Sequence, residues 1–257
     1  MKKQLFMVWI TGILLCSGSH TLWAETVRMG YFEIKPHMYL DSKTGKPAGA
    51  SIRYFESIAK EMGYDVEWAE ALPLPRLLQY LKEGNIDGTL VMTKNPEREE
   101  FLWYPDSPYH LMRPIFVVKK DNKLEKIESI ADVKGYRVGF LLGGNLTKFI
   151  RDHTDDLKMD YIAGQIWAKS NLLKLITGRL DAVYDLNENT MPYEAKLMGI
   201  QDQIKIILLP EPPMPLFTVF SKKSERGKAL VEKYNSVSAK SGLQYSEMID
   251  REFREIE

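Results

Sequence analysis

Arg98 lies in the run "MTKNPEREE", and its neighbours decide what it can do. Asn95 is suited to cap the N-terminus of a short helix and Pro96 to occupy its first position. That arrangement would hold Arg98 in the first helical turn, where its planar fork can pair bidentately with a carboxylate. Glu97, Glu99 and Glu100 beside it leave open the alternative of an ordinary solvated charge. A second stretch, "LLGGNLTKF", points to the same chemistry. Gly143 and Gly144 permit close backbone approach, and Asn145 is placed to cap the helix that follows. A helix N-terminus with free N–H groups accepts anions, although a tight turn needed only for folding would use the same residues. Other chemistries find little support. The single cysteine is Cys16, and His37, His110 and His153 match no metal-ligand spacing. There is no HExxH, GxSxG or P-loop, and the glycines of "GFLLGGN" do not follow the dinucleotide fingerprint. Neither a metal nor a cofactor is expected.

These residues must be positioned by regular elements, and the chain supplies them twice. "VRMGYF" from Val27 and "LLQYLKEGNIDGTL" at 77–90 are echoed by "YRVGFL" from Tyr136 and "LLKLITGRLDAVYD" at 172–185. In each half, apolar strands alternate with helices such as "GASIRYFESIAKEMG", the pattern of a parallel sheet with crossover helices. The prolines of "PEPPMP" are expected to interrupt strand structure before "LFTVFSKK". Two final helices are expected from Ser224, as an N-cap, to about Ser241, and from Gln244 to about Glu255. The reading is an α/β protein of two similar lobes. Their parallel strands would end at a shared cleft able to close on a small molecule. Residues 1–24 read as a secretory signal peptide: Lys2 and Lys3, an apolar run, then cleavage near Ala24. Removing that leader from the 257 residues leaves 233, with 33 basic against 35 acidic side chains, a net charge of −2. So balanced a charge does not suit nucleic-acid binding. Without cysteine, stability outside the cytoplasm would rest on the core alone.

Taken in order, "GKPAGASIRYFESIAKEMG", "LKEGNIDGTLV", "TKNPEREEFLWYPDSPY", "IADVKGYRVGFLLGG" and "GRLDAVYD" resemble the bacterial extracellular (periplasmic) solute-binding proteins of family 3, the polar-amino-acid-binding type of ABC transporters. The resemblance covers nearly all of the chain beyond residue 24. It implies a type II periplasmic-binding-protein fold with a two-segment hinge. Lobe 1 would hold residues 25–112 plus 215–257, and lobe 2 residues 113–214. It also implies that Arg98 and Thr93 hold a ligand carboxylate, assisted by backbone at Gly143, Gly144 and Asn145. Arg76 would be a second anion contact or a solvated helix-start charge. Tyr109 would lie near the first hinge, while Trp68 and Trp103 would form either an aromatic wall or plain core. Three departures bear on the ligand. The family's ammonium-binding acid, five residues after the Asp of "GRxDA", is here Leu186, flanked by Asp185 and Asn187; either Asp185 binds the ligand by a one-residue shift or the site lacks the acid. The stretch from Asp87 to Arg98 is one residue short, and Ile34 replaces an aromatic. The expected protein is a monomeric periplasmic binder. It captures a small carboxylate-bearing solute, an amino acid or a relative, and passes it to an ABC permease. A ligand-dependent sensor partner stands as an alternative. So does a lyase or dehydratase on the same scaffold, with Glu33, Asp185 or Glu188 as proton donor.

Overall fold

The sequence echo has a structural cause. In the computed structural model, which describes residues 25–256, Arg28 and Asp87 exchange hydrogen bonds. The Arg28 N–H donates to the Asp87 carboxylate at 2.8 Å, and the Asp87 N–H donates to the Arg28 carbonyl at 2.7 Å. Arg137 and Asp181 repeat the arrangement at 2.8 and 2.9 Å. In both halves the Asp ends a helix–turn connection by pinning the next strand beside the first. The aspartate in "GNIDG" and "GRLDA" is therefore a register lock. The signal-peptide reading falls on residues 1–24, outside the described residues.

The first half builds β1 (Glu25–Gly30), the short pair β2 (Tyr39–Leu40) and β3 (Pro47–Ala48), α1 (Ala50–Met62), β4 (Tyr64–Trp68), α2 (Leu74–Glu83), β5 (Gly88–Met92), α3 (Pro96–Glu99), β6 (Leu102–Trp103) and β7 (His110–Met112). The second builds β8 (Ile115–Lys119), β9 (Arg137–Leu141), α4 (Lys148–Arg151), β10 (Lys158–Ile162), α5 (Trp167–Ile176), β11 (Ala182–Asp185), α6 (Thr190–Leu197) and β12 (Ile204–Leu208). The chain then returns through β13 (Met214–Ser221) to α7 (Gly227–Ser238) and α8 (Tyr245–Arg254).

One sheet runs β4-β1-β5-β13-β6, with β7 also on β13, and the other runs β10-β9-β11-β8-β12. In each, the repeated strands are parallel (β4, β1 and β5; β10, β9 and β11) and a neighbouring strand lies antiparallel (β13; β8). This is the two-lobed type II periplasmic-binding-protein fold. Helix α1 packs on α7, α8 and β4, and α5 on α6 and the second sheet. The apolar faces read in the sequence, such as Ile52, Phe55, Ile58, Ala59 and Met62, are buried there.

Three local expectations are corrected. Helix α4 begins at Lys148 with Thr147 in the N-cap position, so Asn145 lies upstream and does not cap it. Helix α7 begins at Gly227 and not at Ser224. The chain first makes a tight turn, in which a Cβ on Gly227 would stand 1.9 Å from the Ser221 carbonyl oxygen. The Ser224 hydroxyl meanwhile donates to Asp87 at 2.6 Å. Finally, Pro215 lies inside β13, where that strand pairs with β7 alone and has no ladder on its other side to break.

Candidate ligand-binding site

Asn95 caps α3, its side-chain oxygen accepting the Arg98 N–H at 2.8 Å. The cap turns the Arg98 side chain inward, and the residue is only 4% exposed. Its guanidinium donates to the Thr93 hydroxyl at 2.9 Å and the Thr93 carbonyl at 3.1 Å. A further N–H reaches the Gly143 carbonyl in the other half of the chain at 3.0 Å. All these partners are neutral oxygens. Burial pulls the Arg98 pKa below its ordinary value, while Tyr104 and Glu97 oppose that shift. The group stays a cation, and among the described residues no carboxylate is hydrogen-bonded to it.

Gly143 has φ of +83°, which lets its carbonyl face Arg98. A Cβ on Gly144 would lie 2.5 Å from the Phe140 ring. The Asn145 side-chain oxygen accepts from the Asn95 amide at 3.3 Å, a second bond between the two halves. The double glycine read in the sequence therefore brings the backbone against Arg98, while the helix that follows starts only at Lys148.

Thr93, Arg98, Gly144, Asn145 and Asp185 all line one cavity, whose recess spans about 460 Å³ including its mouth. Phe32, Ile34, Leu74, Val91, Met92 and Met112 come from one half of the chain and Phe140, Leu141, Trp167, Leu186 and Asn187 from the other. Asp185, at the end of β11, is 3% exposed. One carboxyl oxygen accepts the Asn187 N–H at 3.1 Å, and the other is buried with no partner. Burial pushes its pKa up to about 8, which the Asn187 N–H opposes and the nearby Glu188 reinforces. At neutral pH it is mostly a neutral acid.

Other anticipated residues lie elsewhere. Arg76 is exposed on α2, 5.5 Å from the centre of the Tyr80 ring, and does not line the cavity. Tyr109 stands one layer behind, its hydroxyl accepting the Val91 N–H at 3.2 Å and meeting Ser51 at 3.0 Å. Val91 has φ of +56°, a conformation a β-branched residue seldom adopts. Trp68 packs edge-on to Tyr31 and Phe55, and Trp103 lies under the Lys222 ammonium, both outside the cavity. Glu33 accepts the Leu40 N–H and Glu188 the Arg113 N–H. Of the three acids considered as proton donors, only Asp185 reaches the cavity.

Sequence reasoning missed Phe32, Trp167 and Asn187. The signal was position: each follows or lies near the carboxyl end of a parallel strand, where α/β proteins place ligands. Trp167 also donates its indole N–H to the Glu33 carbonyl at 2.8 Å across the two halves. Asn187 accepts from the Asn189 N–H, which fixes its amide nitrogen as the donor to His37 at 2.7 Å. His37 is fully buried, and desolvation, followed by the nearby His110, holds its pKa down to about 3. It is thus neutral, with its other ring nitrogen meeting the Tyr245 hydroxyl.

Among proteins of known sequence, the chain is 27% identical over 140 residues to a probable amino-acid-binding protein, YxeM, of Bacillus subtilis (strain 168). That match covers 54% of this chain and 52% of the relative, so it spans about half the relative's length. Among solved structures, an ancestral arginine-binding protein bound to arginine is 25% identical with a TM-score of 0.73, over 89% of this chain and 98% of that one. The amino acid ABC transporter substrate-binding protein AbpA of Streptococcus pneumoniae Canada MDR_19A, bound to L-arginine, shares the fold at 18% identity and a TM-score of 0.73, over 91% and 96% of the two chains. Residues 27–249 match the family model itself, and the chain belongs to the bacterial extracellular solute-binding proteins, family 3.

Proposed function

We propose that this protein captures a small carboxylate-bearing solute, an amino acid or close relative, and delivers it to an ABC importer. The observation that carries the reading is Arg98: a buried cation whose hydrogen-bond partners are all neutral, beside a cavity lined from both halves of the chain. A carboxylate there would gain charge-assisted hydrogen bonds in a low-dielectric site. Asp185, with one free oxygen in the same lining, takes the ligand ammonium after giving up its proton. In this reading the lobes are residues 25–112 plus 215–257 and residues 113–214. They hinge at the two segments that join the sheets, near Arg113 and near Pro212. The protein is exported through a signal peptide ending near Ala24, acts in the periplasm as a monomer, and presents its closed form to the permease. Both arginine-bound structures of this fold are consistent with an amino-acid ligand.

Mass spectrometry of small molecules released by denaturing protein purified from its own host tests the reading. A carboxylate-bearing compound at near-equal ratio to protein is expected. A neutral sugar or a carboxylate-free amine would contradict it.

A further inference from the structure

We propose that the ligand's side chain is apolar, making this an aliphatic or aromatic amino-acid binder and not a site for arginine or glutamine. The inference rests on the reading of Arg98 and Asp185 just given and adds what surrounds them. The polar side chains lining the cavity fall into two clusters. Arg98, Thr93 and Asn145 form one, tied to each other through the Asn95 cap. Asp185 and Asn187 form the other, joined by the Asn187 N–H. A ligand carboxylate and ammonium occupy these two clusters. The rest of the lining offers a ligand no polar side-chain group: Phe32, Leu74, Met92, Phe140, Trp167 and Leu186 present carbon or sulfur. The indole N–H of Trp167 is spent on the Glu33 carbonyl. The Asn187 amide is partly committed, donating one N–H to His37 and accepting from Asn189, so what remains lies with the Asp185 cluster. A third polar group on the ligand would therefore lose its water and find no partner, which an enclosed site penalises heavily. Leu186 matters most here, because a carbon side chain stands beside the cluster where a polar one would supply a third contact.

Titration calorimetry with L-leucine, L-methionine and L-phenylalanine against L-glutamine, L-glutamate and L-arginine tests this, with wild-type protein and Leu186→Asn. At least one apolar amino acid is expected to bind on the order of a hundredfold tighter than any of the polar three. Leu186→Asn should narrow that ratio about tenfold while the apolar ligand still binds. If a polar amino acid binds as tightly as the apolar ones, the apolar inference is overturned while the carboxylate-capture reading survives. If none of the six binds the refolded protein at millimolar concentration, the apolar amino-acid inference is overturned, and the capture reading stands only if a carboxylate outside the panel is the compound released from the native protein.

Discussion

At the scale of single residues, the site is defined by two buried ionisable groups that lack counterions. Arg98 keeps its charge and spends several donors on backbone and hydroxyl oxygens. Asp185 responds to burial in the other way, by holding its proton to about pH 8. An ammonium placed against Asp185 would draw its pKa down, so binding at pH 7 should expel a proton. The sign follows from the raised value: the proton is present before binding at pH 7 and already absent at pH 9. Calorimetry in two buffers of different ionisation heat should therefore read close to one proton released at pH 7 and far less at pH 9. Asp185→Asn should abolish the release. Equal heats in both buffers at pH 7 would mean that Asp185 does not meet the ammonium.

At the scale of elements, the repeated Arg–Asp lock allows a paired comparison. Asp87 is 5% exposed and accepts from the Arg28 N–H, the Ser224 hydroxyl and Arg226. Asp181 makes the same backbone bond but with its side chain 35% exposed beside Arg137. Asp87→Ala leaves three part-buried donors without their carboxylate and should cost about 3 kcal/mol. Asp181→Ala, whose partners can turn to water, should cost about 1 kcal/mol. Thermal unfolding of the two variants checks this, and equal losses would deny the effect of burial. The same elements show what the sequence made legible. The two-lobed order and the Asn95 cap could be read because each rests on local chemistry: apolar periodicity, a Pro at the first helical position, a Gly where a helix stops. The α7 start was misread because Gly227 is set by a contact with Ser221 that local propensity cannot register. For a similar reason Trp167 was not singled out. Its role depends on Glu33, over a hundred residues away, and no spacing within "WAKSNLLKLITG" encodes that. Tyr109 does not line the cavity, because its hydroxyl holds Val91 from behind, a difference of one packing layer that spacing along the chain does not encode.

At the scale of the whole molecule, a set of bonds joins the halves around the cavity. Arg98 reaches Gly143, Asn95 reaches Asn145, Trp167 reaches Glu33 and Asn187 reaches His37. On the outer face, the Lys196 ammonium donates to the Phe253 carbonyl at 3.1 Å. These bonds and the cavity lining share residues, so under the proposed function capture and closure would be energetically one event. Arg98 belongs to both sets. The most direct measurement is therefore the melting temperature of the refolded protein and of Arg98→Ala against a panel of amino acids and other small carboxylates. A ligand at 100 times its Kd should add about 2.7 kcal/mol to the wild type, a shift of several degrees. The same ligand should lose about 2–5 kcal/mol of affinity with Arg98→Ala, and the unliganded variant should still melt cooperatively. An Arg98→Ala protein stabilised by the ligand as fully as the wild type would contradict the central claim.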